Sequence, residues 1–276
     1  MMPEFRVVTH RNWIAEHFRS VGGVQDFGFD IDKDAVTDTV WWAPGEWVSR
    51  AAHSGVTIPV LSCGQKWMSS AAATPFRRRC VLVVPASEVS VAFNHLGVKY
   101  AHVKLPEIKT DDFPAESRTV RDVLLSVDSG SIRPSQLIQV SENVRFVDEA
   151  RFFIAHGEVT ACSYYRVGDY WWTDDEFDSE KASAQDTNMI MSLAQRVAKS
   201  KGTPPGFVAD IGVMKWGGQH HAELIEMNAA WSSNPYDADA GGVLASITAA
   251  HDFEGKHQRF RFNTEQYGKV TPLRVR

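Results

Sequence analysis

Apolar and polar positions alternate most clearly late in the chain. Phe207 to Met214 and His221 to Asn228 each read as a short strand, and Trp216-Gly217-Gly218 between them supplies turn chemistry. Phe207, Ile211 and Val213 fall on one face of the first strand, and Ile225 and Met227 on one face of the second; the opposite faces carry Asp210, and Glu226 with Asn228. For both apolar faces to pack on one layer, Asp210 must lie across from Glu226. An antiparallel pair allows this only with an odd number of loop residues or a bulge. Two carboxylates and an amide oxygen then converge, a donor set that suits magnesium with phosphate oxygens completing its shell. A hairpin with an ordinary polar outer face is the plainer alternative.

Upstream, CVLVV (80–84), VKYAHVKL (98–105) and QLIQV (136–140) read as strands, with Ser117 to Val127 a short helical or mixed segment. The run EARFFIAHGEVTACSYYRV (149–167) reads as a hairpin turning at His156-Gly157. A two-residue loop sets Arg151 across from Cys162. It gathers Glu149, Arg151, Tyr164 and Arg166 on one face and Phe152, Ile154, Val159 and Ala161 on the other. Ser179 to Ser200 has helical spacing, an acidic approach and a stop at KGTPPG, and a second helix spans roughly Gly241 to Ala250. The first 75 residues hold a short strand (Phe5 to Thr9), a helix (Asn12 to Arg19) and Trp41, Trp42 and Trp47, which read as core or interface. SSAAATP (69–75) marks a boundary. Strands and helices in this order, with antiparallel hairpins, predict α+β lobes rather than a doubly wound parallel sheet.

Length and charge narrow the function classes. A chain of 276 residues suits one large domain or two to three lobes, and a net charge of −5 gives no electrostatic case for nucleic acid. Arg77-Arg78-Arg79 reads as a solvated loop before a strand. There is no apolar run of signal-peptide or membrane-span length, so the expectation is a soluble, cytoplasmic protein with no membrane partner. Cys63, Cys80 and Cys162 are widely spaced and indicate neither a disulfide framework nor a zinc site. His220 and His221 point to opposite faces of a strand and do not share a ligand; Ser62-Cys63-Gly64 lacks a base partner.

Three stretches in order, HVKLPEIKTDDFPA (102–115), LIQVSENVRFVDEARFFIAHGEV (137–159) and FVADIGVMKWGGQHHAELIEMNAAWSSNPYDAD (207–239), resemble an ATP-grasp domain, most closely the clade marked by one arginine and two lysines. The resemblance implies an ATP-grasp fold: two α+β lobes, about 76–140 and 141–276, clasping ATP, preceded by a smaller N-terminal α/β lobe (1–75). It implies that Lys104 and Lys109 meet nucleotide phosphate, that Arg151 faces the transferred phosphoryl group near Lys104, and that Asp210, Glu226 and Asn228 hold Mg2+. Gln139, Val140 and Glu142 match the hinge that contacts adenine and ribose, and Asn234 and Asp237 are acceptor-site candidates. The loop 105–118 has no glycine, unlike many relatives, so lysine side chains carry more of the phosphate binding. The implied activity is ATP-dependent carboxylate–amine ligation through an acyl phosphate, on an amino acid, peptide or similar substrate. A phosphotransferase on the same fold and a catalytically idle scaffold are the alternatives.

Overall fold

The computed structural model describes residues 3–34, 36 and 38–276, an α+β molecule built on three main sheets. The first comprises β1 (Glu4–Val8), β2 (Gly23–Asp26) and β4 (Thr39–Trp42), with β1 central and parallel to both neighbours. Helix α1 (Asn12–Arg19) buries Ile14, Ala15 and Phe18, and Phe18 meets Phe5 of β1 edge-on at 5.2 Å. Trp41, Trp42 and Trp47, the last on α2 (Gly45–His53), are all core residues. The short strand β3 (Asp30–Ile31) later pairs in parallel with β14 (Arg274–Val275) near the C-terminus.

The second sheet is antiparallel, in the order β5-β8-β6-β7, from β5 (Val81–Pro85), β6 (Ala101–Lys104), β7 (Glu116–Arg118) and β8 (Leu137–Ser141). Helix α3 (Val89–Leu96) stops at Gly97, whose φ of 66° suits a residue without Cβ. The segment read as helical or mixed divides into β7 and α4 (Val120–Asp128). Thr119 starts that helix with a reciprocal cap to Asp122.

The third sheet runs β11-β10-β9-β12-β13, antiparallel throughout: β9 (Phe146–Ala155), β10 (Glu158–Val167), β11 (Tyr170–Trp171), β12 (Gly206–Trp216) and β13 (Gln219–Asn228). Both hairpins turn on two residues with positive φ, His156-Gly157 and Gly217-Gly218, the conformation that matches strand twist. The β9–β10 register differs from the expected one. A bulge at Thr160 pairs Arg151 with Ser163 and Phe152 with Cys162. One extra residue exchanges the faces beyond it, so Tyr165, not Tyr164, joins Arg151 and Glu149. Tyr164 instead meets Thr187 on α5 (Ala184–Ala198), and Ala161 lies with Phe153 in the other core.

Helix α5 covers one face of this sheet, packing Ile190, Leu193, Ala194 and Val197 on Phe152, Ile154, Phe207, Ala209, Ile211 and Val213. On the opposite face α6 (Ala240–Ala249) covers only part, with Val243 and Ile247 among Phe153, Ala161 and Val208. It lies close because of two glycines: a Cβ on Gly242 would strike the Thr160 carbonyl, and one on Gly206 the Ser246 carbonyl. The remainder of that face, from Asp210 onward, borders a cleft. Among the described residues no helix is long and apolar enough to cross a membrane.

His251, just past α6, ties this end to the first sheet. Its Nε2 accepts from the Trp41 amide (3.0 Å) and its Nδ1 donates to the Ile247 carbonyl (2.9 Å), an arrangement only a neutral ring makes. Burial pushes its pKa down to about 4 from 6.5. The unfolded ring takes a proton below 6.5 and the folded one only near 4, so this contribution is intact above pH 6.5 and lost as pH falls towards 4. The loss is on the order of 3 kcal/mol. Urea midpoints at pH 7 and pH 4.5 should therefore fall further for the parent than for His251→Gln. Equal falls would show that His251 does not set the acid sensitivity.

Candidate active site

The β12–β13 hairpin has a two-residue turn, and the bulge that its pairing then demands is present. Asp210 lies opposite Glu226, whereas the next pair is Ile211 with Leu224, so Ile225 is the extra residue. The bulge revises one assignment. Leu224 and Met227 join the α5 core. Ile225 turns instead to the cleft side, where a Cβ on Gly212 would meet both it and Phe146.

Asp210 is buried at the centre of a charged network. Arg151, its partner in β9, donates Nε to Oδ1 and Nη2 to Oδ2, both at 2.8 Å. The third guanidinium nitrogen donates to the Asn234 carbonyl at 3.2 Å. The rings of Tyr236 and Tyr165 lie 5.1 and 5.8 Å from the guanidinium carbon. Burial opposes the charge on Arg151, but Asp210 outweighs it and holds the pKa above its ordinary value. The Asn228 amide bridges the two carboxylates, 3.0 Å to Asp210 and 2.9 Å to Glu226. Lys104, at the end of β6, crosses from the second sheet to contact Glu226. Glu149 accepts instead from Tyr165 and Arg166, both at 2.9 Å.

Burial and the surrounding cations Lys109, Arg79 and Arg151 press the Lys104 pKa down to about 7, with Asp210 opposing them. The Glu226 carboxylate in contact with Lys104 also favours its charged form. Lys109 is solvent-exposed by surface area, yet the protein crowding its ammonium, and then Arg151, lower its pKa. Their loop is anchored by apolar side chains rather than shaped by glycine. Ile108 and Phe113 are buried, and Arg118 stacks on Phe113 at 4.2 Å.

Between the second and third sheets lies a cleft of about 560 Å³ bordered by Lys104, Lys109, Gln139, Glu142, Glu226 and Asn228. The expected hinge residues separate here. Gln139 and Glu142 line the cleft, and Glu142 accepts from the Cys80 amide at 2.8 Å. Val140 has its side chain in the core and is flanked by β5 and β6, so the link free of strand pairing is 142–145. A second cleft of about 560 Å³, against the first sheet, shares Glu107, Lys109 and Asn228 with it and also reaches Arg151 and Asn234. Asp237 lies apart from both: it is exposed, accepts from the Trp172 indole at 2.8 Å and borders a smaller cavity.

The residue that sequence reading passed over is Arg79. Only Arg78 of the Arg77–Arg79 run is exposed; Arg79 is buried at the cleft, paired with Glu223. Its signal was a basic residue immediately before a strand, which a solvated loop mimics. His220, by contrast, pairs with Asp186 of α5 at 2.8 Å and takes no part in the site.

Among the described residues no three His, Cys, Asp or Glu side chains gather as a metal site. The protein's donors are thus two carboxylates and one amide, drawn close enough for a single NH2 group to touch both carboxylates. That set fits a hard divalent cation whose other ligands are phosphate or water.

No curated protein matches the sequence. Among solved structures, D-alanine–D-alanine ligase from Bacillus anthracis superposes with a TM-score of 0.50 at 12% identity, over 91% of this chain and 97% of that one. N5-carboxyaminoimidazole synthetase from Staphylococcus aureus also gives 0.50, at 9% identity over 90% and 77%. These are likenesses of fold. The model of an ATP-grasp domain family, the second family of the clade named for one arginine and two lysines, matches residues 76–246, well over half of the sequence, and the chain belongs to that family.

Proposed function

We propose that the protein is an ATP-dependent ligase that joins a carboxylate to an amine through an acyl phosphate. The observation that carries this reading is the meeting of Lys104, Lys109 and Arg151 with two bridged carboxylates where two clefts join. Bringing a carboxylate to a triphosphate sets anions against anions, and fixed cations in a half-closed site offset that repulsion.

In this reading ATP occupies the cleft between the second and third sheets, with residues 142–145 and Glu142 beside its base and ribose. Gln139 would contact it by its side chain. Lys104 and Lys109 bind phosphate oxygens, and Arg151 faces the phosphoryl group in transfer. Asp210, Glu226 and Asn228 would hold Mg2+, which supplies charge neutralisation at the phosphates; Asn228 would turn its amide to present oxygen. The substrate carboxylate enters from the second cleft beside Asn234. Its oxygen attacks the γ-phosphorus as the bond to ADP breaks, and the amine then displaces phosphate from the acyl carbon. Asp237 stands too far out for the acceptor role and is set aside. We also propose the division into an N-terminal lobe (1–75) and an ATP-grasp domain (76–276), and a cytoplasmic location.

The test supplies ATP, Mg2+ and pools of amino acids and short peptides. A condensed product with stoichiometric ADP and free phosphate supports ligation. Phosphate retained on the product would mean a phosphotransferase, and no nucleotide binding at all would mean a scaffold.

A further inference from the structure

We propose that Arg79 is a positioning residue: it clamps the bulge at Ile225 and so keeps Glu226 beside Asp210. The proposal rests on the reading of Asp210, Glu226 and Asn228 as cation ligands. Arg79 precedes β5 of the second sheet, yet its side chain reaches β13, the edge strand of the third. One guanidinium nitrogen meets the Glu223 carboxylate and donates to the Leu224 carbonyl at 3.0 Å; the other donates to the Ile225 carbonyl at 2.6 Å. The Phe146 ring, 5.6 Å from the guanidinium carbon, packs against the fork.

In a regular strand, consecutive carbonyls point to opposite edges. A single guanidinium can donate to both the Leu224 and Ile225 carbonyls only where the backbone is bulged. Arg79 therefore stabilises the bulged form and offers nothing comparable to a regular one. The bulge decides the site, because without it the face exchange at Ile225 is undone and Glu226 turns towards α5. An edge strand has no outer neighbour to pin a bulge in place, and Arg79 takes that role from the far side of the cleft.

A plain buried ion pair with Glu223 would produce the same burial and must be separated from this role. Glu223 is fully buried and one of its oxygens lacks a partner, so Arg79→Ala alone would strand a charge and damage the fold. Two other variants avoid that. Arg79→Met with Glu223→Met removes both charges, a change that is often neutral for stability but abolishes the clamp. Arg79→Lys keeps a charge for Glu223 but replaces the planar fork by one point donor.

The readouts are the affinity for Mn2+ in the presence of a non-hydrolysable ATP analogue, and amide hydrogen exchange over residues 223–227. Both variants should fold, bind Mn2+ about 10–100-fold more weakly and exchange faster at the bulge. Parental metal affinity in the double variant, or unchanged exchange in both variants, overturns the proposal. If the parent itself binds no Mn2+ with the analogue, the metal reading falls, and exchange over 223–227 still decides whether Arg79 clamps the bulge. Should the double variant not fold, Arg79→Lys decides by the same two measurements.

Discussion

Glu226→Gln should reduce turnover by about 10²–10³-fold, the range for removing one group that stabilises charge in a transition state, while the chain stays folded. The side chain keeps its size and one oxygen for the Asn228 amide, but loses the negative charge that would bind Mg2+. The loss also strips Lys104 of its carboxylate partner. Because burial has already brought the Lys104 pKa to about 7, that ammonium can shed its proton instead of remaining a stranded charge. The stability cost should therefore fall below the roughly 3 kcal/mol typical of breaking a buried pair. Rates at limiting and saturating Mg2+ beside a melting curve test both halves. Parental rates at limiting Mg2+ would remove Glu226 from the metal site, and a collapsed transition would make it structural.

The opposition of Asp210 and Glu226 was legible because strand alternation has a period of two and Gly217-Gly218 admits few turns. Whether an odd loop or a bulge supplied the extra residue was not, nor was the resulting turn of Ile225 into the cleft. The bulge is held by Arg79, 146 residues upstream, a contact no local pattern contains. The bulge at Thr160 was hidden for a similar reason. The Thr160 hydroxyl donates to the Phe153 and Gly242 carbonyls, and Gly242 belongs to a helix far along the chain.

Three arginines in succession look alike in sequence, and only the distant Glu223 decides which one is buried. The first sheet was half read. Phe5 to Thr9 and α1 carry amphipathic spacing, but β4 is buried on all four residues and has no alternation to see. The ordered resemblance located the cleft, yet it could not separate Gln139 and Glu142, which border it, from Val140 in the core. Asp237 was named for its place in a segment. A one-residue difference in where a side chain points is beyond such matching, and the Trp172 indole holds Asp237 outward.

Arg151 carries the last prediction, and the structure changes what is expected of it. Were it an exposed ion-pair partner, its loss would cost about 0–1 kcal/mol. It is instead buried, with a bidentate bond to Asp210, whose carboxylate is almost fully shielded from water. Arg151→Ala would leave that carboxylate buried and unpaired, so about 3–5 kcal/mol of stability should go along with the activity. The alanine variant alone thus cannot separate catalysis from folding. Arg151→Lys can, because a lysine still places positive charge beside Asp210 while forfeiting the planar fork that serves Asp210 and the Asn234 carbonyl together. The lysine variant should melt within a few degrees of the parent, bind nucleotide, and turn over about 10²-fold more slowly, with the loss in kcat rather than KM. Parental kcat in Arg151→Lys would mean that the arginine serves only as the counter-ion of Asp210, and the phosphoryl-facing role would pass to Lys104 and Lys109.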